Sequence, residues 1–384
     1  MKKGKKYISK INSLLGSFYS TILSLIYNRQ YKKIYQKEVL SRKNQIKLSK
    51  KDIEEYKKKW GKISTRVNPI YFKLFSNYIG KDLDIVPEDI CHRVVETILD
   101  PPIYRAYYAD KNMFDKILPL NYMAKTYLRK IQGAWYNADY DIISNNIDEI
   151  ISTIDDTKIV VKPTVGGMSG KGVKLFMRDK SIWKSLDSEE ILSQKWLDDN
   201  YGNDCIIQRC LSQSKEINYY NPTSVNTLRL ATYRSVKDNK THILRAVMRI
   251  GAKGSLVDNA HAGGGFVGIY KDGTLGNFVC NQYGETTTFF NDIDFSKPHK
   301  IPYYDRVIDF AKNVTQYIPH HRLLALDIML DENNIPRLIE FNVEKYSIWL
   351  FQFTTGSALG RFTDEIINYC EEHKKEIKSE YLYL

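Results

Sequence analysis

The chain has 384 residues, 43% hydrophobic and 12% aromatic, which suits a well-cored protein of two or three domains and excludes a disordered one. Its net charge of +12 suggests a polyanionic partner, but residues 1–60 hold 17 Lys/Arg against four acids, a local excess of +13. The other 324 residues carry 40 basic and 41 acidic groups, so the body needs no nucleic acid and the positive charge belongs to an N-terminal arm.

Within that arm, residues 11–28 (INSLLGSFYSTILSLIYN) carry no charge and are flanked by lysines. Ser13, Gly16, Ser17, Ser20, Thr21, Ser24 and Asn28 make the run too polar for a spanning helix. No small-residue cleavage site follows the run, as a signal peptide would require. Ile8, Ile11, Leu15, Phe18, Ile22 and Leu25/Ile26 recur at three and four residues, the spacing of one helical face. Such a face beside lysines is expected either to lie on an anionic membrane surface or to pack on the body. Residues 30–100 read as helical, rich in Lys, Glu and Tyr, broken at Pro69, Pro87 and Pro101-Pro102, and without a GxGxxG dinucleotide loop. The spacing predicts a basic arm over 1–60 and a helical region over 61–105.

The segment KIVVKPTVGGMSGKGVKLFM reads as strand, loop, strand. Gly166, Gly167, Gly170 and Gly172 let backbone approach a polyphosphate, and Lys162 and Lys171 supply charge. The loop lacks the Walker GxxxxGK[ST] spacing, and a strand follows where a helix would be needed. An ordinary surface turn has the same composition.

Farther on, a short apolar strand ends at Gln208, and a second strand carries Asn226, Arg229 and Arg234. A strand running into a connector offers N–H and C=O groups to an adenine edge, and Glu216 could accept from ribose hydroxyls or be plain linker. Arg245 and Arg249, four apart, share a strand face and together suit a γ-phosphate or a carboxylate. Asp258, Asn259 and His261 lead into Gly263-Gly264-Gly265, another close-approach segment; His261 in such a loop is more often a surface histidine than a base.

The C-terminal third contains HRLLALDIMLDENNIPRLIEFN. In LLALDIML, Leu324, Leu326, Ile328 and Leu330 take one face and Ala325, Asp327 and Met329 the other. In PRLIEFN, Leu338, Glu340 and Asn342 share a face opposite Ile339 and Phe341. A two-residue turn at Asn333-Asn334 sets Asp327 directly across from Glu340, whereas a four-residue Asp331–Asn334 loop would shift the pairing. Opposed carboxylates need a cation between them, and with the Asn342 amide they suit Mg²⁺; a solvated sheet face is the competing reading.

Taken in order, these blocks resemble the ATP-grasp superfamily. The wording NPTSVNTLRLATY, MRIGAKGSLVDNAHAGGG and ALDIMLDENNIPRLIEFN is most similar to the sugar-transfer-associated ATP-grasp proteins, bacterial proteins linked to surface-polysaccharide assembly. The resemblance covers roughly residues 105–375. It implies an α+β fold in which two α+β subdomains over 106–384 clasp ATP, preceded by a helical N-terminal region. It implies nucleotide binding by Lys116 (or Lys111), Lys162, Gly167, Ser169, Gly170, Lys171, Gln208, the Leu211 backbone and Glu216. Asp327, Glu340 and Asn342 become Mg²⁺ ligands, and Arg249, Arg229 and Asn259 the candidate catalytic set.

The implied reaction is an ATP-dependent carboxylate–amine ligation through an acyl-phosphate, acting on a small or lipid-linked saccharide. A kinase with the same site and a non-enzymatic basic adaptor are the alternatives. A Rossmann-like domain usually precedes the grasp, and residues 1–105 depart from that; Gln208 stands where many members have Glu. Five cysteines (Cys91, Cys205, Cys210, Cys280, Cys370), without zinc spacing, fit a cytoplasmic setting, on the inner face of the membrane where the arm engages it.

Overall fold

A computed structural model describes residues 21–144, 146–166, 170–256, 258 and 263–376. Up to residue 125 the described chain is helical or irregular, as the Pro-punctuated pattern predicts. Residues 21–34 form a helix running into a π-helical turn, Tyr35–Val39, and the helices Lys50–Gly61 and Ile70–Ile79 follow. Ser49 and Asp52 form a capping box: Ser49 Oγ accepts from the Asp52 amide, and Asp52 Oδ2 from the Ser49 amide. Tyr31, Tyr56, Trp60, Phe72 and Phe75 all enter one core with Tyr233, Ala325, Phe351 and Ile366. The residues on either side of position 60 therefore share a core with the C-terminal half of the chain.

The first sheet contains β1 (Thr126–Ile131), β2 (Ala134–Asn137), β3 (Lys158–Pro163), β4 (Lys174–Asp179), β5 (Ile182–Ser185) and β6 (Cys205–Arg209). Its order is β2-β1-β6-β3-β4-β5, with antiparallel pairing throughout. Ile159, Val161 and Phe176 pack against Ile147 and Ile151 of the helix Ile147–Thr153 and Leu197 of the helix Gln194–Tyr201.

The second sheet is built from β7 (Leu228–Arg234), β8 (Thr241–Ile250), β9 (Gly265–Ile269), β10 (Val279–Cys280) and β11 (Thr286–Thr287). A small ribbon, β12 (Phe289–Phe290) with β13 (Ile293–Asp294), follows; β14 (Leu323–Leu330) and β15 (Pro336–Asn342) then complete the sheet in the order β11-β10-β9-β8-β7-β14-β15. The helix Tyr304–Gln316 covers one face, with Val307, Ala311 and Val314 against Leu230, Leu324 and Leu326. The N-terminal helices and the helices Trp349–Gln352 and Thr363–His373 cover the other. All eight residues of β14 are buried, so Asp327 does not lie on a solvated sheet face.

The β14–β15 hairpin brings Asp327 opposite Glu340, though by a different path from the predicted one. Its loop is the three residues 332–334, not Asn333-Asn334 alone. Asp331 Oδ1 accepts from the Asn333 and Ile335 amides, and Asn334 sits at φ +58°. That extra loop residue would slip the register by one. A bulge on β15 restores it: Ile328 faces Leu338 while Asp327 faces Glu340, leaving Ile339 extra. The bulge also breaks alternation, so Leu338 joins Phe341 in the core and parts from Glu340 and Asn342, contrary to the predicted shared face.

Candidate functional site

Asp327 is 2% exposed, and arginine, not open space, meets its carboxylate. Across β14 and β7, Arg229 donates from Nε to Oδ1 at 2.7 Å and from Nη2 to Oδ2 at 2.6 Å, a bidentate fork. Arg249 Nη1 adds a contact to Oδ2 at 3.3 Å. Burial works to raise the Asp327 pKa, but the two guanidiniums outweigh it and hold the carboxyl below its usual range. The first cation to meet Asp327 is thus Arg229, from the strand on the side away from Glu340.

Arg249 has a second anion. Its Nη2 donates to Asp258 Oδ1 at 3.1 Å, and Asp258 also accepts from the Thr227 hydroxyl and amide. Burial raises the Asp258 pKa against the pull of Arg249. Arg245, which the spacing paired with Arg249 as one anion clamp, lies elsewhere. Its guanidinium packs on Gly356 and Gly360, so close that a Cβ at Gly356 would meet Nη2 at 2.8 Å.

From the first sheet, Lys162 at the end of β3 reaches toward the same place. It is half-buried; burial and then the neighbouring Lys111 push its ammonium down to about 8, against the fields of Glu340 and Asp115. Lys111 Nζ lies 3.2 Å from Glu340 Oε2, and its amide donates to the Thr164 carbonyl at 3.0 Å. The segment around Lys111 ties the two sheets together. Phe114 stacks on Phe341 of β15 at 4.4 Å, while Asp115 pairs with the fully buried Arg129 of β1. Lys116, named ahead of Lys111 in the sequence reading, instead lies over the Tyr140 ring at 4.1 Å. The structure therefore brings Lys111, not Lys116, beside Lys162 and Glu340.

The glycine-rich loop is the β3–β4 connection, as predicted, with Gly166, Gly170 and Gly172 at φ +74°, +73° and +78°. At Gly172 a Cβ would also press on Pro163 at 3.3 Å, so the loop requires glycine there on two counts. Lys171 is exposed. Gly167, Ser169, Asn259 and His261 lie outside the described residues.

Past the first sheet, Gln208 is buried and its Nε2 donates to Thr126 Oγ1 at 3.1 Å. Leu211 is half-buried where the chain leaves β6. Gln213 pins the connector: Nε2 donates to the Asn221 and Ser224 carbonyls at 2.8 Å, and Oε1 accepts from Asn226. The Ser214 amide then donates to the Leu330 carbonyl, so the connector runs beside the β14–β15 turn. Glu216 is exposed at that turn, 3.5 Å from Asn334 Nδ2. Sequence reasoning missed Gln213 and Ser347, whose Oγ accepts from Arg229 Nη1 at 3.3 Å; neither carries a local signal.

Among the described residues no group of three or more His, Cys, Asp or Glu side chains is arranged to hold a metal ion by itself. Mg²⁺ held largely through phosphate oxygens needs only one or two carboxylates. Glu340 and Asn342 supply hard oxygens on the site face. Asn342 Nδ2 donates to the Ala325 carbonyl at 3.2 Å, which leaves its amide oxygen as the free-facing acceptor. Asp327 Oδ1 takes one arginine bond against two on Oδ2. The set fits Mg²⁺, with Asn342 offering an amide oxygen, Glu340 shared with Lys111 and Asp327 shared with Arg229 and Arg249.

Residues 106–368 match the model of a family described as sugar-transfer associated ATP-grasp. No curated protein matches the chain. Among solved structures it is similar to D-alanine–D-alanine ligase from Bacillus anthracis (14% identity, 71% of this chain and 69% of that one, TM-score 0.36). It is also similar to D-cycloserine synthetase (12%, 72% and 73%, TM-score 0.39) and to the ADP complex of N5-carboxyaminoimidazole ribonucleotide synthetase (12%, 62% and 46%, TM-score 0.35). The match thus spans less than half the length of the last of these.

Proposed function

The chain belongs to the sugar-transfer associated ATP-grasp family, and from that premise we propose that it is an ATP-dependent carboxylate–amine ligase working through an acyl-phosphate. Its acceptor or donor is a saccharide precursor of a bacterial surface polysaccharide. The observation that carries the reading is Lys162: a half-buried ammonium, disfavoured by burial and by Lys111, at the end of a strand that leads into a glycine-rich turn. A polyphosphate arriving there supplies the negative charge that Lys162 lacks and that Lys111 has only from Glu340.

The reaction has two steps. A substrate carboxylate oxygen bonds to the γ-phosphorus as the bond to the β,γ-bridging oxygen breaks, releasing ADP. An amine then bonds to the acyl carbon, the carbon–oxygen bond to phosphate breaks, and the amine gives up a proton. Lys111 and Lys162 hold phosphate oxygens, and the glycine turn lets backbone amides approach them. Arg249, held between Asp327 and Asp258, stands where charge develops on the transferring group, and Arg229 keeps Asp327 ionised. Mg²⁺ bound by Glu340, Asn342 and Asp327 would neutralise triphosphate charge and align the γ-phosphoryl.

The test is to incubate the protein with ATP, Mg²⁺, hydroxylamine and a panel of uronic acids and amino acids. ADP release with a matching hydroxamate is expected for one carboxylate. A phosphorylated hydroxyl with no hydroxamate would make the protein a kinase, the alternative the sequence allows.

A further inference from the structure

We infer that the outward stripe of the helix over residues 21–34 is a docking ridge for an anionic lipid bilayer, held in one fixed orientation by the body of the protein. The helix has two opposed faces. Ser24, Tyr27, Tyr31 and Ile34 point inward. Ser24 Oγ donates to Asp89 Oδ2 at 2.7 Å, the Tyr31 hydroxyl donates to Glu88, and the Tyr27 ring lies 5.3 Å from that of His92. On the opposite side, within about a third of a turn of one another, stand Ile22, Leu25, Ile26, Arg29 and Lys33. Ile22, Leu25 and Ile26 are 38%, 64% and 56% exposed, and Arg29, Lys32 and Lys33 are exposed too.

A soluble helix normally buries its aliphatic stripe and shows its hydroxyls. Here Asp89 and Glu88 recruit the polar face inward, and the aliphatic one is left outside. Rotating the helix to hide Leu25 and Ile26 would take from Asp89 and Glu88 the two hydroxyl bonds that complete their pairings with Arg93 and His92, a loss that opposes the gain from covering three aliphatics. Ile8, Ile11, Leu15 and Phe18 continue the same spacing in the sequence and lie outside the described residues.

The occupant is chosen by the chemistry of the ridge. Apolar side chains at one end and cations at the other match the acyl boundary and phosphate layer of an anionic membrane. The +13 of residues 1–60 adds long-range attraction to that surface. RNA would answer the cations but not Leu25 and Ile26; a second copy would answer the aliphatics while bringing a like charge. No helix among the described residues is long and apolar enough to cross a membrane.

The full chain should co-sediment with vesicles of equal phosphatidylglycerol and phosphatidylcholine, and weakly with phosphatidylcholine alone. Leu25→Glu with Ile26→Glu should cut binding at least about tenfold, as should Arg29→Gln, Lys32→Gln and Lys33→Gln together. ATP binding and thermal midpoint should stay unchanged in both, which separates lost docking from lost folding and from failure of the ligase reading. Wild-type binding by Leu25→Glu/Ile26→Glu, or equal binding to neutral vesicles, would overturn the inference. So would a concentration-dependent dimer abolished by Leu25→Glu/Ile26→Glu, or RNA binding that only the Arg/Lys→Gln variant loses, in the absence of vesicle binding.

Discussion

Two clusters of buried charge flank the segment Val343–Ser347, and they solve opposite problems. On one side, under the N-terminal helices, His92 Nδ1 lies 2.8 Å from Glu96 and its Nε2 3.3 Å from Glu88, while the Lys345 amide donates to Glu96 Oε2. Asp100 accepts from the Arg322 and Leu323 amides and from the Tyr346 hydroxyl. Charge there is closed in by groups of the same chain. On the other side, Ser347 touches Arg229, and Lys111, Lys162 and Glu340 meet at the edge of a glycine-rich turn with cationic charge to spare. Burial perturbs titration in both places, raising Glu88 in one and lowering Lys162 in the other. A perturbed group therefore does not by itself mark a ligand site; charge left unmatched by the chain's own groups is the better sign.

The sharpest way to break this contrast is inside the site, where one pair is as closed as the helical cluster. Arg229→Ala leaves Asp327 buried without its fork and should cost about 3–5 kcal/mol of unfolding free energy in urea. Glu340→Ala should cost less, about 1–2 kcal/mol, because Glu340 is 28% exposed even though its partner Lys111 is only 15% exposed. Equal losses for the two would mean that the site has no open half.

The two clusters should also respond to pH with opposite signs. Burial lowers the His92 pKa, but Glu96 and Glu88 overcome it and carry it up to about 10, above its unfolded value near 6.5. Its contribution is full below about pH 6.5 and is lost as pH rises toward 10. Lys162 runs the other way: with a folded value of about 8 below its unfolded 10.5, it burdens the fold below pH 8 and relieves it between 8 and 10.5. His92→Gln should cost about 2–4 kcal/mol at pH 6 and little near pH 10, read from urea midpoints across that range. Lys162→Met should gain about 1–2 kcal/mol at pH 7, a figure reduced for its partial exposure, while abolishing measurable ATP binding. Calorimetry of the wild type at pH 8.5 should show proton uptake on binding ATP, since phosphate restores the ammonium; uptake equal to that of Lys162→Met would remove Lys162 from the site.

Much of the site was legible because it rests on local alternation. The strands β3, β6, β14 and β15 follow from periodicity, and the glycine turn from composition. What failed was non-local. Arg229 and Asp327 are 98 residues apart and meet only because β7 pairs with β14, so no spacing rule could show that the carboxylate already had a partner. Lys111 and Lys116 read alike in DKNMFDK until Phe114 and Asp115 fix which lysine faces β15. In the helix over 21–34 the aliphatic stripe was visible, yet tyrosines and a serine were buried because distant acids on the 88–99 segment could satisfy them.

The hairpin register gives the smallest effect and the finest test. Asp327 meets Glu340 because an added loop residue and an added β15 residue cancel. The loop half of that arrangement rests on Asn334 at φ +58°, a conformation open to Asn and Gly and costly for other residues. Asn334→Gly should change stability by less than about 0.5 kcal/mol, and Asn334→Ala should cost about 1 kcal/mol. Neither should alter ATP affinity, because Asp331 clamps the turn from Oδ1 and receives Arg337 Nε on Oδ2 at 2.8 Å. Deleting Asn334 shortens the loop to two residues but still closes it on Asp331 and Ile335, so Ile328 stays opposite Leu338 and Asp327 opposite Glu340. ATP affinity should therefore stay within about twofold of wild type. A fall of about tenfold would show that the turn itself, and not only the alignment of the two carboxylates, is what the open cluster depends on.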